Sequence, residues 1–314
     1  MSHFHHAPGT WKLSWFTALF AFAFVGTVNA QETTMLAMVE ALELPFIEGD
    51  VDTFHSEGYH DHATELQQLV EEAVLFFREP HVLNVSLNLT LAILDPEDWA
   101  RLGGRRYGVP YVWALPEQPK VAFMPATEDS PISDMNIGMK EDVSTEILER
   151  FHNLGISYED AARRFVELLA LHEIGHAYAF TYMTRFSQRW LNEFVATYLA
   201  YAFLSERRPQ MAELWDAMND ALVEASPHQH TTLADFDRLY SGVGLPNYGW
   251  YQGKFQQLGN DVFATMGMSF MHQFKSSWVN TPEAPEGDAL RLQQVAAIYP
   301  DVIVWAEGAD GELE

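Results

Sequence analysis

The sequence contains no cysteine among its 314 residues. This absence excludes disulfide bonds, thiolate metal sites, cysteine nucleophiles and an N-terminal lipid-modified cysteine. A metal ion bound by this chain must therefore take its protein ligands from His, Asp or Glu side chains.

Basic residues are also scarce, since 18 Lys and Arg stand against 44 Asp and Glu, which gives a formal net charge of -26. A chain this acidic repels phosphate backbones, so we expect no nucleic-acid partner. Its hydrophobic content of 48% is enough for a packed core in one large domain or two small ones, which argues against wholesale disorder.

Long apolar runs are confined to the N-terminus. Lys12 precedes an uncharged apolar run over residues 13–28, which ends in the small-residue triplet Val28-Asn29-Ala30. This pattern is typical of a signal peptide, so residues 1–30 are predicted to be cleaved after Ala30. The alternative is an uncleaved signal anchor, although sixteen apolar residues are marginal for spanning a bilayer. We therefore expect an exported protein, periplasmic or secreted, with no stable membrane insertion after cleavage.

The first half of the mature chain carries strand patterns. Residues 31–58 lack clean periodicity and are predicted to form a linker or lead-in, followed by a helical pattern. Alternation over residues 84–93 predicts a half-buried strand. Two shorter strand patterns, residues 111–115 and 120–124, are separated by a turn containing Pro116, which predicts an antiparallel hairpin.

Beyond Pro125 the apolar periodicity becomes helical. Helices are predicted near residues 144–153, 158–183, 190–206, 208–225, 231–240, 250–276 and 287–298. Strands followed by helices indicate an α+β fold with a small mixed sheet and a mostly helical C-terminal part. The main domain is expected to cover residues 59–305, and residues 306–314 are predicted to be an acidic tail.

The helix predicted over residues 158–183 contains a His-Glu-x-x-His motif. Residues four apart on a helix project from the same face, so His172 and His176 can reach one metal ion while Glu173 lies beside it. Glu173 is the only charged residue from 168 to 184, which indicates a buried helix whose polar groups need partners. A divalent cation would satisfy them, and the alternative is a pair of core histidines bonded to backbone carbonyls.

A third ligand is offered by the next uncharged stretch, residues 190–204, in which Glu193 is the only acid. Its neighbours on every face of the predicted helix are apolar. A solvated surface glutamate is therefore disfavoured, and Glu193 is predicted to be a buried metal ligand.

A His-Glu-x-x-His helix followed by a second helix bearing Asn-Glu, here within Trp190-Leu191-Asn192-Glu193, resembles the gluzincin branch of the zincin metallopeptidases. The resemblance implies a zincin-like fold, in which the sheet packs on the active-site helix. It also implies that His172, His176 and Glu193 bind a zinc ion (Zn2+). The metzincin continuation is excluded, because Ala179 and Tyr182 stand where that pattern needs Gly and His.

Gluzincins also place a tyrosine or histidine against the oxyanion, often in a Tyr-x-x-Gly context. By this resemblance Tyr251 is the first candidate and Tyr248 the second, with aromatic packing as their alternative role. We therefore expect a zinc-dependent peptidase acting on peptides or proteins, with Glu173 as general base. One alternative is a non-catalytic zincin-like protein whose site is closed by a fourth ligand such as His230 or His272, and another is a zinc hydrolase acting on a non-peptide amide.

Overall fold

The computed structural model describes residues 34–103, 106–127, 129–279 and 288–311. The predicted leader, residues 1–30, lies outside these ranges. Five strands occur in the first part of the chain: β1 (Phe46–Ile47), β2 (Asp52–His55), β3 (Leu89–Leu94), β4 (Tyr111–Trp113) and β5 (Lys120–Pro125).

Most of the remaining described residues are helical. The helices that flank the strands are α1 (Met35–Glu40), α2 (His60–Arg78), α3 (Pro96–Leu102) and α4 (Pro131–Gly138). They are followed by α5 (Thr145–Asn153), α6 (Tyr158–Tyr182), α7 (Arg189–Arg207), α8 (Pro209–Ala225), α9 (Leu233–Leu239), α10 (Leu245–Met266), α11 (Ser269–Val279), α12 (Asp288–Ala296) and α13 (Val302–Gly311). Short 3-10 turns cover Lys140–Asp142 and Tyr240–Val243.

The strands form one mixed sheet in the order β1-β2-β3-β5-β4. Strand β3 pairs in parallel with β2 and β5, whereas β1 and β4 pair antiparallel with β2 and β5 at the two edges. The predicted hairpin is confirmed in β4 and β5, where Val112 lies opposite Ala122. The α+β class and the small mixed sheet are confirmed as well.

Strand β3 is shorter and more deeply buried than its sequence pattern predicts. The alternation over residues 84–93 predicts one solvated face, but every residue of β3 is buried. Leu91 and Ile93 belong to the main core, while Ala92 and Leu94 pack in a second cluster with Trp99 of α3. The prediction of a half-buried strand is wrong because helices cover both faces of the central strand.

The segment predicted as a linker, residues 31–58, instead contributes α1, β1 and β2 to the fold. Strand β2 lies parallel to β3, with Phe54 opposite Ala92. These strands have two and four residues, too few to produce a recognisable alternation. Strand β1 pairs with β2, and β2 in turn pairs with β3, which lies far along the chain. The linker prediction is wrong because these residues become strands through tertiary pairing, which a local sequence pattern does not reveal.

The helical part is built around α6 and α7, which pack against each other, with α10 packed on α7 and α8. Helix α6 begins where the Ser157 side chain caps the Asp160 amide, and it contacts β4 and β5 of the sheet. Every residue of α7 from Trp190 to Leu204 is buried. The described residues contain no helix with both the length and the apolarity needed to cross a membrane.

Two predicted boundaries near the C-terminus differ from the structure. The helix predicted over 250–276 is two helices, because Gly267 adopts a φ of 50° and ends α10. Helix α13 continues to Gly311, where the sequence pattern predicts an acidic tail from residue 306.

Candidate metal centre

Helix α6 presents the two motif histidines side by side. His172 and His176 are one turn apart, with ring centroids separated by 4.7 Å and ring planes at 86°. Both side chains are buried. His172 and His176 therefore lie on a common face of the helix, as their spacing of four residues predicts.

Helix α7 brings Glu193 to the same point. Its Oε2 atom lies 3.1 Å from His172 Nε2 and 3.5 Å from His176 Nε2. One ligand atom from each of the three residues lies within 4.8 Å of the other two, and all three residues are buried. The predicted triad is therefore assembled, and it can hold a metal ion.

A close approach of two helix backbones makes this assembly possible. A Cβ atom built at Gly175 would lie 2.5 Å from the carbonyl oxygen of Ala196. Gly175 lies between the two histidines of α6, and Ala196 lies one turn after Glu193 on α7. The absence of a side chain at Gly175 thus lets α7 carry its carboxylate into contact with the imidazoles.

The electrostatics of the triad fit a cation. Burial favours the protonated form of Glu193, but the two imidazoles outweigh burial and hold the pKa of its carboxyl well below the ordinary value. Glu193 is therefore an anion at neutral pH, as a metal ligand must be. Two ring nitrogens and a carboxylate oxygen converge here, and a cation accepts the lone pairs of all three.

Three further side chains hold the ligands and were not predicted from the sequence. Tyr240 donates a hydrogen bond to Glu193 Oε1 at 2.7 Å, and Gln252 Nε2 donates to Glu193 Oε2 at 2.9 Å. Thr197 Oγ1 lies 3.1 Å from His172 Nδ1. Of these, only Thr197 carried a sequence signal, because it lies four residues after Glu193 and so shares its face of α7.

Tyr240 occupies an unusual backbone conformation, with φ of 50° and ψ of -120°. Such conformations are strained for residues other than glycine and occur mainly where function requires them. At this position the chain leaves α9, and the strained turn points the Tyr240 hydroxyl at Glu193. The guanidinium of Arg189 lies 4.9 Å from the ring centroid.

Tyr248, the second predicted tyrosine, joins this group. Its ring centroid lies 5.7 Å from that of Tyr240, whose hydroxyl donates to Glu193. Burial, followed by the charge of Glu193, raises the pKa of both tyrosines well above the ordinary value. The charge of Glu173 contributes in the same direction.

Tyr251, the first predicted tyrosine, is held away from this role. Its hydroxyl donates to the backbone carbonyl of Thr232 at 2.8 Å, and its ring is buried against Phe236 and Trp250. The prediction ranks Tyr251 above Tyr248, whereas the structure places the Tyr248 ring beside Tyr240, which bonds to the ligand Glu193. Tyr251 has the packing role that was its alternative.

The predicted candidates for a fourth ligand have other partners. His230 Nδ1 lies 3.5 Å from Asp235, and the ring of His272 is hydrogen-bonded to the Tyr182 hydroxyl at 2.9 Å. Within the described ranges, the group able to hold a metal ion consists of His172, His176 and Glu193. These residues supply three ligands.

Comparisons with protein-family models, with curated proteins and with solved structures gave no match to this chain.

Proposed function

We propose that the chain is an exported zinc-dependent peptidase of the gluzincin type, which hydrolyses bonds in peptides or proteins. The observation that carries this proposal is the buried set His172, His176 and Glu193, to which the described residues add no fourth His, Cys, Asp or Glu ligand. A catalytic zinc site has three protein ligands and an open position, whereas a structural site is closed by four. The set therefore favours catalysis over a purely structural ion.

Zinc fits the donor set in chemistry and in spacing. Two imidazole nitrogens and one carboxylate oxygen are ligands typical of catalytic zinc. Tetrahedral ligands about 2.1 Å from zinc lie roughly 3.3 Å apart, and the two His–Glu193 separations are 3.1 and 3.5 Å. When bound, zinc would lower the pKa of a water molecule towards about 7 and polarise the scissile carbonyl.

The chain's own groups supply the proton transfers. Glu173, next to His172 on α6, accepts the proton of the attacking water and passes it to the leaving amine. Tyr248 keeps its proton at neutral pH, so its hydroxyl is able to donate a hydrogen bond to the developing oxyanion. The Tyr240 proton is already donated to Glu193. We therefore assign the donation to Tyr248, the second of the two tyrosines predicted from the sequence.

The test combines metal analysis with hydrolysis of a peptide library. The native chain is expected to bind about one zinc per molecule. Glu193→Ala should lose the metal, while Glu173→Gln should keep it and lose at least about 100-fold in hydrolysis rate. Glu149→Gln, the same change at an exposed position on α5, serves as the control and should match the native chain.

Two results would overturn the proposal. The first is a native chain that binds no zinc after reconstitution, and the second is full hydrolysis by Glu173→Gln. A zinc-loaded chain that cleaves amides other than peptide bonds would keep the site chemistry and change the substrate class.

A further inference from the structure

Two residues of the metal triad, His172 and Glu193, form a closed circuit of contacts with Thr197 and Gln252. His172 contacts Thr197 through Nδ1, Thr197 contacts Gln252, Gln252 contacts Glu193, and Glu193 returns to His172 through Nε2. The circuit joins α6, α7 and α10. Its distances are 3.1, 3.4, 2.9 and 3.1 Å in that order.

The chemistry of these groups gives the circuit a direction. A carboxylate only accepts hydrogen bonds at neutral pH, so the amide NH2 of Gln252 must face Glu193 and its carbonyl oxygen must face Thr197. An amide oxygen only accepts, so the Thr197 hydroxyl donates its single proton to Gln252. The Thr197 oxygen is then left to accept a hydrogen bond from His172 Nδ1.

This direction decides which nitrogen of His172 carries a proton. With the proton on Nδ1, Nε2 keeps its lone pair. Nε2 lies 3.1 Å from Glu193 Oε2, which also only accepts, so this contact is not a hydrogen bond but places two ligand atoms where one cation can bind both. His176 is held differently, since its Nδ1 is buried without a hydrogen-bond partner in the part of the chain that the structure describes. Of the two histidines, His172 is therefore the one whose imidazole is held by a hydrogen bond to another side chain, that of Thr197.

We propose that Gln252 is a positioning residue that acts through Thr197 to present His172 Nε2 to the metal ion. This inference rests on the proposed function, in that the triad binds zinc. Partners of this kind change metal affinity by about 10–100-fold when they are removed. The same amide also donates to Glu193, so one side chain orients ligands from both helices.

The chain offers a matched control on the same helix. Gln256, one turn after Gln252, is a buried amide that bridges Trp215 and Asp216 in the same manner, with distances of 2.7 and 2.6 Å. Replacing either glutamine by methionine removes an amide bridge and leaves a side chain of similar length. Only the change at Gln252 removes a bridge to the metal ligands.

The experiment measures zinc dissociation constants by competition with a chelator, together with thermal unfolding of each metal-free chain. Gln252→Met and Thr197→Val are expected to weaken zinc binding by about 10–100-fold. Thr197→Ser retains the hydroxyl and should restore affinity to within about threefold of the native value. Gln256→Met should lower the unfolding temperature while its zinc affinity stays native.

A double variant tests whether the two residues act in series. If Gln252 acts through Thr197, combining Gln252→Met with Thr197→Val should weaken binding little more than the stronger single change. Fully additive losses would overturn the relay, as would native affinity in either single variant. A native chain that binds no zinc would overturn both the relay and the proposed function.

The two proposals fail separately in the remaining cases. Zinc binding that is unaffected by Gln252→Met, alongside peptide hydrolysis by the native chain, removes the relay and leaves the peptidase. Zinc binding that follows the expected pattern, without hydrolysis of any peptide, supports the relay and removes the peptidase.

Discussion

Gly175→Ala is a small change with a large expected effect on metal binding. The added Cβ atom would lie 2.5 Å from the Ala196 carbonyl oxygen, and ordinary contact begins at 3.4 Å. Helices α6 and α7 must therefore separate by about 0.9 Å unless the backbone distorts. Ligands on both helices have to meet within about 0.2 Å of their coordination distances, so the separation takes Glu193 out of reach of a metal bound to the histidines.

Two energies oppose each other in the stability of this variant. Alanine is favoured over glycine in a helix interior by about 1 kcal/mol. Overpacking of a close contact costs about 1–3 kcal/mol. The metal-free chain is therefore expected to lose no more than about 2 kcal/mol, which leaves it folded while zinc affinity falls about 100-fold or more.

Gly259→Ala on α10 is the matched control. A Cβ atom there would meet Tyr198 Cα at 3.7 Å, an ordinary contact with the same helix α7. This variant should gain up to about 1 kcal/mol in stability from helix propensity and bind zinc as the native chain does. Chelator competition and urea unfolding of the two variants provide the readouts. Native zinc affinity in Gly175→Ala would refute the reasoning, because it would mean that the contact at Gly175 does not set the distance between the ligands.

Three further predictions concern the removal of zinc, the carboxyl group of Asp216, and the two tyrosines Tyr251 and Tyr248. Removing zinc with a chelator should lower the unfolding temperature of the native chain, since zinc at a hundred times its dissociation constant contributes about 2.7 kcal/mol, and Glu193→Ala should show no such dependence on zinc. Burial is the main cause that raises the pKa of Asp216 to about 7. As pH rises, the unfolded chain therefore loses this proton at a lower pH than the folded chain does. The stability that protonated Asp216 contributes at low pH is lost as pH rises from about 4 to 7. Asp216→Asn should therefore be more stable than the native chain at pH 8, on the order of 2 kcal/mol after allowing for solvent screening, and gain nothing at pH 3.5; equal urea midpoints at pH 8 would contradict this. Tyr251→Phe loses its bond to Thr232 and should cost about 1 kcal/mol in stability with native turnover, whereas Tyr248→Phe should lower kcat about 100-fold; steady-state kinetics would count against the assignment if the two effects were reversed.

Helix boundaries in the C-terminal part were predictable because local signals coincide with tertiary burial. Ser144 and Ser157 cap the amides of Ile147 and Asp160 at the starts of α5 and α6, and Pro209 begins α8. These positions match the predicted starts to within a residue. The short strands β1 and β2 carry no comparable signal, since β2 depends on pairing with β3, about forty positions away, and β1 pairs with β2.

The metal ligands were predictable because their geometry is local to single helices. His172 and His176 share a face of α6 through their spacing, and Glu193 is the lone acid of a buried helix. Two of the residues that support them have no such local origin. Tyr240 and Gln252 lie 47 and 59 positions after Glu193, and only the packing of α10 and the turn after α9 against α7 brings them to it.

The position at which α10 begins explains why Tyr248, and not Tyr251, lies near Glu193. A helix beginning at residue 250 would leave Tyr248 in a loop and place Tyr251 in the first turn. The helix begins at Leu245 instead, with Pro246 in its first turn, where the fixed φ of proline and its missing amide proton are favourable. Tyr248 and Gln252 then lie one turn apart on the same face, and both reach the environment of Glu193, while Tyr251 turns towards Thr232. A shift of five residues in one helix start therefore decides which of these two tyrosines lies near Glu193.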